Sequence, residues 1–449
     1  MTSQKLFSVV VFSIPFLAVS PLIKFYGIPV GVFFGVLVLV TALLLIKEKG
    51  LSIDILKGTP LNGLLLLYVL ISLVSLGRAA LAGGLGEENL LRFAYLCFSV
   101  VVFWVTANVV TNRETFSRVV SVYFIASFIS VLWSLYVTVG FMAGLETGQP
   151  VTWTVPRLFG TSAEPQVYGN YLVSVIPLLT AFILVKTPLF KKVAPVFTLL
   201  TLLVLALLMT FSAGAWAGLA AGWLLLLAGF RYFNFRGIAA FAGSIAVVIA
   251  ALVLVNAYLF PGYLEGFKSI AVKFGIRAET VEQTVQTGPG PQGRAAFTAK
   301  ETYHLSEKTV TEREGFRAAA WQMFRTHPVL GVGTGNFGYL YNTYNPAWAE
   351  DFPFAAKAHN QYLEILAETG MLGFAVFLLI VFRIFVLAGR SFRNSRDYFW
   401  KAGITGTLAS LTGIAVQGYS FGFLVHIYTW FLLGLLVSAC RQNAPEEAH

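Results

Sequence analysis

Long apolar runs recur along almost the whole chain. The hydrocarbon core of a bilayer is about 30 Å thick and takes about 20 apolar residues per helix. Runs of about that length, almost free of charged residues, predict twelve spans, at residues 6–23, 28–46, 58–77, 93–112, 119–142, 166–185, 193–211, 214–230, 237–256, 370–389, 402–417 and 421–440. An all-α polytopic membrane protein is therefore predicted. The first run also fits a cleaved signal peptide, because Lys5 precedes it and Ala18-Val19-Ser20 resembles a cleavage site.

The composition agrees with that fold class. Hydrophobic residues make up 57% of the 449 residues and charged residues 12%, about half the roughly 25% of a typical soluble protein. A soluble particle of this composition would have too few polar groups to cover its surface. Cys97 and Cys440 both lie in apolar runs, so they indicate neither a disulfide framework nor a metal site.

The distribution of Lys and Arg predicts the orientation. With both termini in the cytoplasm, the short inner segments and tails hold 17 of these residues and the short outer loops hold 4. The other 10 of the 31 lie in one long loop, which the rule does not count. Most of the net charge of +10 is therefore expected to face anionic lipid, which argues against a nucleic-acid partner.

The long loop divides the chain into three parts. Residues 1–256 carry nine spans, residues 257–358 form an extracytoplasmic loop domain, and residues 359–449 carry a surface helix and three spans. Apolar residues at spacings of three and four predict an amphipathic helix over 263–286. The polar segment from there to about residue 310 is expected to be mobile. Thr311 and Glu314 form a capping-box pattern, so a second helix is expected to begin at Thr311.

Arg313, Arg317 and Trp321 share one face of that second helix, at spacings of four. One interpretation is a solvated face on which Glu312 and Glu314 offset the basic charge. The other is an anion site, because arginine side chains at the start of a helix bind phosphate. Spacing alone leaves both open.

Arg157 lies just before the sixth span, in the sequence Arg157-Leu158-Phe159-Gly160-Thr161. An arginine beside a helix entrance either extends to lipid headgroups or binds the phosphate of a ligand. The sequence around this residue does not decide between the two.

Gly333, Gly335 and Gly338 match G-x-G-x-x-G, the dinucleotide-binding pattern. No strand precedes them and no βαβ unit surrounds them, so that function is excluded. We interpret the segment as a glycine-rich turn that follows a helix.

His359 lies at the predicted membrane boundary, at the start of a short helix that ends where Gly370 allows a bend into the tenth span. An apolar stripe on this helix suits packing on the bundle, and it consists of Tyr362, Leu363, Leu366 and Ala367. A lone histidine here is either structural or a proton-transfer group, since histidine titrates near neutral pH.

These motifs together resemble the O-antigen ligase and O-antigen polymerase family. The resemblance rests on the twelve spans, the long loop before the tenth, and the pattern His-Asn-x9-Gly at His359, Asn360 and Gly370. Arg313, fifteen residues before Pro328, and the Arg157 segment are similar to the family as well. The motifs cover about residues 150–375. One departure is Ser212-Ala213-Gly214, where related proteins often have Ser-Arg-Gly.

The resemblance implies a fold of the lipid-dependent glycosyltransferase C type. It also implies a donor glycan on undecaprenyl diphosphate, an active site facing the periplasm from the bacterial inner membrane, and inverting transfer to an acceptor hydroxyl. The acceptor is lipid A–core for a ligase, another repeat unit for a polymerase, or a protein for an O-oligosaccharyltransferase. We favour the ligase because of the compact twelve-span layout.

The roles expected of individual residues come from combining the resemblance with this chemistry. Arginines would bind the diphosphate, His359 would activate the acceptor hydroxyl, and neighbouring amides would hold sugar hydroxyls. The arginines are Arg157, Arg313 and Arg317, and the amides are Asn360 and Gln361. We expect no metal and no cofactor, because the first outer loop, at about residues 21–27, contains no acidic residue.

A polysaccharide or lipid transporter is the alternative from another class. Ion-coupled carriers place ionisable residues within their spans, and here the spans are almost free of them. A loop of 102 residues also has no evident use in a simple carrier.

Overall fold

The computed structural model describes residues 2–17, 24–25, 28–49, 59–81, 84, 86–145, 147, 156–162, 164–185, 193–227, 235–259, 263–265, 299–351 and 357–442. Within these ranges the chain forms fourteen α-helices: α1 Ser3–Ser13, α2 Val30–Lys49, α3 Asn62–Leu81, α4 Glu87–Val109, α5 Arg113–Met142, α6 Pro165–Leu184, α7 Val193–Met209, α8 Ala213–Leu227, α9 Phe235–Leu254, α10 Ala299–Thr326, α11 Phe337–Tyr344, α12 Gln361–Asn394, α13 Tyr398–Gln417 and α14 Ile427–Arg441. Single turns of other helix types lie at Ile14–Phe16, Val255–Leu259 and Tyr263–Glu265. Two-residue strands β1 Lys24–Phe25 and β2 Ile28–Pro29 pair antiparallel.

Each of the twelve predicted spans overlaps one of these helices, although the first helix ends at Ser13 and the last begins at Ile427. Seven helices of the described chain are long and apolar enough to cross a membrane, namely α2 to α6, α9 extended to Leu259, and α12. The helices α1, α7, α8 and α14 are apolar but shorter. Helix α13 is continuous, but its sequence contains Lys401 and several hydroxyl residues. The prediction of an all-α polytopic membrane protein is confirmed.

The bundle is centred on α13, which packs against α6 and α8. Gly218 of α8 and Gly413 of α13 approach so closely that a methyl group on either would collide with the carbonyl of the other. Small residues permit such contacts between membrane helices. Buried hydrogen bonds then join Asn170 of α6 to Gln417 (3.0 Å) and to Tyr428 of α14 (2.7 Å). These bonds fix the segment between α13 and α14, residues 418–426, which we call the α13–α14 loop.

The predicted start of a helix at Thr311 is wrong. Helix α10 begins at Ala299, twelve residues earlier, so Thr311 and Glu314 are interior residues rather than a capping box. The physical reason is that residues 299–312 contain neither proline nor glycine, so nothing interrupts the helix before Thr311. The prediction that the segment up to about residue 310 is mobile is therefore wrong for residues 299–310, which are helical. The amphipathic helix expected over 263–286 lies outside the described residues beyond 265.

Helix α12 is broken at Gly370, where the backbone is non-helical (φ 65°, ψ −163°). The break divides it into a surface helix, residues 361–369, and a long helix, residues 371–394. The predicted bend at Gly370 is confirmed. The apolar stripe faces two partners rather than one: Tyr362 packs on Phe377 and Phe423 of the bundle, and Leu363 packs on the loop-domain side.

The glycine-rich turn, residues 327–336, closes this break. Breaking a helix leaves carbonyls unsatisfied at one new end and amides at the other. Two backbone amides of the turn donate to carbonyls of the surface helix: Val332 N to Ala367 O (2.8 Å) and Gly333 N to Glu368 O (3.1 Å). Two backbone carbonyls of the turn accept from amides of the long helix: Met371 N donates to Pro328 O (2.8 Å) and Leu372 N to Val329 O (3.3 Å). Both ends of the break are therefore satisfied within the protein, as a low-dielectric environment requires.

Helices α3 and α4 hold the outer side of the same turn. Their side chains donate to its carbonyls: Arg78 Nη1 to Gly331 O (2.5 Å), Ser75 Oγ to Leu330 O (2.8 Å) and Asn89 Nδ2 to Thr334 O (3.1 Å). The turn is thus clamped between the bundle and the surface helix.

We predict that Gly331→Ala and Gly370→Ala destabilise the protein. Both glycines have positive φ, and a methyl group at either would overlap the backbone of the opposite segment. Each change is expected to cost about 2 kcal/mol or more. The midpoint of thermal unfolding in detergent, followed by size-exclusion chromatography, measures the effect.

Gly389 provides the matched control, because it lies in the long helix of α12 with no atom within 4 Å of an added methyl group. Gly389→Ala should be neutral or slightly stabilising, since alanine favours helix over glycine by about 1 kcal/mol. An unchanged midpoint for both Gly331→Ala and Gly370→Ala would show that the break does not depend on glycine.

Candidate active site

Arg157 lies before α6 and reaches the turn between α7 and α8. Its Nε donates to Thr210 O (2.9 Å) and its Nη2 donates to Phe211 O (3.1 Å). Phe211 itself has a positive φ of 47°, so the turn is strained where the guanidinium contacts it. Burial, with a contribution from the positive charge of Arg313, lowers the pKa of Arg157 to about 10. The residue stays protonated at neutral pH and lies within electrostatic range of Arg313.

Arg313 and Arg317 lie one turn apart on α10 and are both half-buried. Burial and the charge of Arg317 lower the pKa of Arg313, while Glu312 and Glu164 act in the opposite direction. The desolvation of Arg313 does not fit the interpretation of a fully solvated helix face. The anion site stays a prediction.

Arg317 is held by Tyr419 of the α13–α14 loop. The guanidinium carbon lies 4.5 Å from the centre of the Tyr419 ring, and Nη2 donates to the carbonyl of the same residue (3.4 Å). The Nε of Arg317 is buried and has no hydrogen-bond partner among the described residues. A buried donor without a partner is costly, and an anionic ligand would supply the missing acceptor.

His359 lies among these cations. Burial is the largest effect on its pKa, followed by the charges of Arg313, Lys357 and Arg317, and together they lower the pKa to about 4. The imidazole is therefore neutral at pH 7 and able to accept a proton. The contribution of Arg313 and Arg317 places the histidine close to the residues that the sequence predicted to bind phosphate.

The backbone of His359 is strained, with a φ of 46° that non-glycine residues seldom adopt. Its ring packs on Phe316 of α10, with the ring centres 5.7 Å apart. Strained backbone of this kind occurs where the surrounding structure dictates the position of a side chain. Here α10 and the surface helix together determine where the imidazole points.

Asn360 and Gln361 hold the surface helix in place. Oδ1 of Asn360 caps the helix by accepting from the amides of Tyr362 and Leu363, both at 3.1 Å. Oε1 of Gln361 accepts from the amides of Phe423 (2.8 Å) and Leu424 (3.0 Å) in the α13–α14 loop. Since each amide oxygen already accepts two hydrogen bonds, a sugar hydroxyl would meet the amide NH2 groups instead.

Four basic residues, Arg157, Arg313, Arg317 and Lys357, form what we call the basic cluster. Arg313, Lys357 and Arg317 act electrostatically on His359, and Arg313 also acts on Arg157. None of the five ion pairs among the described residues includes Arg313, Arg317 or Lys357. Partly buried cations such as Arg313 and Arg317 are suited to bind an anionic ligand. Across the described chain, no three His, Cys, Asp or Glu side chains are grouped so as to hold a metal ion.

The sequence analysis missed two residues of this site. Lys357 could have been found from the sequence, because it lies two residues before His359. His426 falls within the predicted span 421–440, but it precedes α14 and its ring is stacked between Phe421 and Tyr428. Burial and the charge of Lys357 lower the pKa of His426, and no sequence motif indicated that position.

The fold and the site define a multi-pass helical membrane protein with a cationic, histidine-containing site at one end of its bundle. The family model described as O-antigen ligase matches residues 196–378, about two fifths of the chain. The resemblance to the O-antigen ligase family is thus confirmed. The matched stretch includes Arg313, Arg317 and His359, whereas Arg157 lies outside it. No curated protein sequence matches the chain. The family implies a membrane glycosyltransferase-like enzyme that acts on a lipid-linked glycan and a glycan acceptor.

We predict that Arg157→Lys and Arg313→Lys each weaken the binding of undecaprenyl diphosphate about tenfold. Lysine keeps the charge but cannot make the two-point phosphate contact of a guanidinium. Binding to purified protein in nanodiscs measures the effect. Arg325→Lys is the control, because Arg325 lies exposed on the same helix as Arg313. Wild-type affinity in both Arg157→Lys and Arg313→Lys would assign these arginines to structure alone.

Proposed function

We propose that this protein transfers a glycan from undecaprenyl diphosphate to an acceptor hydroxyl on lipid A–core, as an O-antigen ligase. In this proposal the enzyme lies in the bacterial inner membrane with both termini in the cytoplasm, and residues 257–358 form a domain on the periplasmic side, where the site faces. Polymerisation of repeat units and glycosylation of a protein use the same donor chemistry and differ in the acceptor.

The observation that carries the proposal is a neutral histidine enclosed by the basic cluster. When the bond between sugar C1 and the diphosphate oxygen breaks, negative charge develops on the leaving diphosphate. The arginines would stabilise that charge, which is how fixed cations lower the barrier of such reactions. The acceptor oxygen attacks C1 in line, so the anomeric centre is inverted, and the hydroxyl proton passes to His359.

Donor binding would also change the basicity of His359. Burial is the largest cause of the pKa of about 4, and Arg313, Lys357 and Arg317 add to it, so the imidazole is a weak base. A bound diphosphate would offset the positive charges but not the burial, so it would raise the pKa of His359 in part. The histidine therefore becomes a better base once the donor is in place.

We predict that His359→Asn lowers the rate of transfer by about 10² to 10⁴-fold, the usual contribution of a general base. Asparagine tolerates the positive φ of this position better than alanine, so it removes the imidazole with less disturbance of the backbone. His359→Ala should lose the same factor. Binding of undecaprenyl diphosphate should persist in both variants, because the arginines remain.

The pH dependence of kcat/KM gives an independent readout, since it reports the ionisation of the free enzyme. With the pKa of His359 lowered to about 4, activity should persist from pH 8 to about pH 5 and fall only below that. His327→Ala is the control, because His327 lies in the glycine-rich turn and bonds to Thr326. Normal turnover of His359→Asn, or its failure to bind the donor, would contradict the assignment of a base.

The proposed function itself is tested by deleting the gene and separating the surface polysaccharide on a gel. A ligase predicts loss of long chains from lipid A–core together with accumulation of lipid-linked polymer. Core that carries a single repeat unit would indicate a polymerase, and a change in glycoproteins alone would indicate protein glycosylation. In vitro, transfer should continue in excess EDTA. Loss of transfer that magnesium or manganese restores would contradict a metal-independent mechanism.

A further inference from the structure

A second polar cavity lies on the other side of the surface helix. It is bounded by α3, α4, the surface helix and the α13–α14 loop, and its empty space, including the open mouth, is about 540 Å³. Its polar lining includes Tyr68, Ser72, Arg92, Gln361, Glu364 and Glu368. None of these residues except Gln361 belongs to the site described above.

The charged residues of the cavity include carboxyl groups, whereas the basic cluster contains only cations. Arg92 contacts three carboxylates: Glu88 at 3.1 Å, Glu364 at 3.3 Å and Glu368 at 3.7 Å. Glu368 also accepts from the amide of Phe337 (3.3 Å), so it is held in place from two sides. Glu88 does not line the cavity, so Glu364 and Glu368 are its two carboxyl groups. Burial and the charge of Glu364 raise the pKa of Glu368 to about 7. Together the two carboxyl groups balance Arg92, so the cavity offers no net positive charge to a diphosphate, while hydroxyl groups would find acceptors.

The hydroxyl groups of α3 provide independent evidence that the cavity takes a polar ligand. Ser72 is 1% exposed, lines the cavity, and its Oγ has no hydrogen-bond partner among the described residues. Tyr68, one turn earlier, is 7% exposed and also lines the cavity. Burying a hydroxyl group without a hydrogen-bond partner costs free energy. A ligand rich in hydroxyl groups would supply the missing partner.

The position of the cavity connects it to His359. Gln361 lines the cavity, and His359 lies two residues before it in the chain. The amide oxygen of Gln361 also fixes Leu424, which lines the same cavity. A sugar bound here would therefore sit beside the beginning of the surface helix, where the histidine meets the basic cluster.

We infer that this cavity is a binding site for uncharged sugar residues of the acceptor. The inference rests on the proposed function, since it assigns the acceptor of that reaction to a specific part of the protein. Carboxylates that accept, an arginine that donates, and the ring of Tyr95 on the wall are the groups that bind sugars. Donor and acceptor would then occupy opposite sides of one helix, separated by charge.

The test measures sugar binding without turnover. The two probes are dephosphorylated core oligosaccharide freed from lipid A and the repeat-unit oligosaccharide, each added to the full-length protein in nanodiscs and followed by saturation-transfer NMR. The variant Tyr68→Phe/Ser72→Ala removes two hydroxyl groups and no charge. We expect one of the probes to bind the wild-type protein, and the double variant to bind it about tenfold more weakly. Affinity for undecaprenyl diphosphate should be unchanged.

Ser99→Ala is the matched control. Ser99 of α4 also carries a buried hydroxyl without a partner among the described residues, but it does not line the cavity. Its removal should change neither affinity. Equal affinity of the double variant and the wild type for the probe, or no binding of either probe to the wild type, overturns the inference.

Failure of this inference differs from failure of the proposed function. Sugar binding that depends on Tyr68 and Ser72, in a protein that transfers no glycan, would support the cavity and refute the transferase. Transfer that proceeds normally in the double variant, with the probe bound as in the wild type, would refute the cavity alone.

Discussion

The break in α12 at Gly370 is the constraint on which the rest of the structure depends. A membrane helix cannot end at a low-dielectric boundary unless its backbone groups find partners within the protein. Here one turn of the chain supplies them in both directions, through Val332 and Gly333 on one side and Pro328 and Val329 on the other. Because α3 and α4 clamp that turn, the surface helix has a fixed position, and so do the residues at its beginning.

The fixed surface helix places His359 beside the basic cluster. Burial and mutual repulsion lower the pKa of Arg157, Arg313 and His359, so the cluster is unfavourable in the empty protein. Other contacts hold these residues in place: Arg157 donates a hydrogen bond to the α7–α8 turn, and Arg317 packs on Tyr419. At that turn Ala213 stands where related proteins often have arginine, and the guanidinium of Arg157 brings positive charge to it from another part of the chain.

Long apolar runs were sufficient to predict the membrane helices, because lipid leaves a spanning segment few alternatives. The bend at Gly370 could also be predicted, since glycine interrupts the apolar stripe there. The start of α10 could not, because the pattern at Thr311 and Glu314 has meaning only where the preceding residues are not helical. Nor could the cavity beside Arg92, which is assembled from three helices and a loop that are far apart in sequence. Motif spacing singled out His359 and Arg313 as candidates, whereas their shared surroundings arise from packing alone.

The sign of charge changes across the surface helix, and that change has a chemical consequence. On the side of α10, Arg313, Arg317 and Lys357 act on a neutral imidazole, while on the side of α4 Glu364 and Glu368 face the only arginine among the described residues that line the cavity. A diphosphate and an uncharged sugar would therefore be sorted by electrostatics before any specific contact forms. In the proposed function, a diphosphate on the cationic side would raise the basicity of His359, whereas a sugar on the other side would add no charge. Such an arrangement would make the base strongest only when the donor is present, which limits proton transfer to the complete complex.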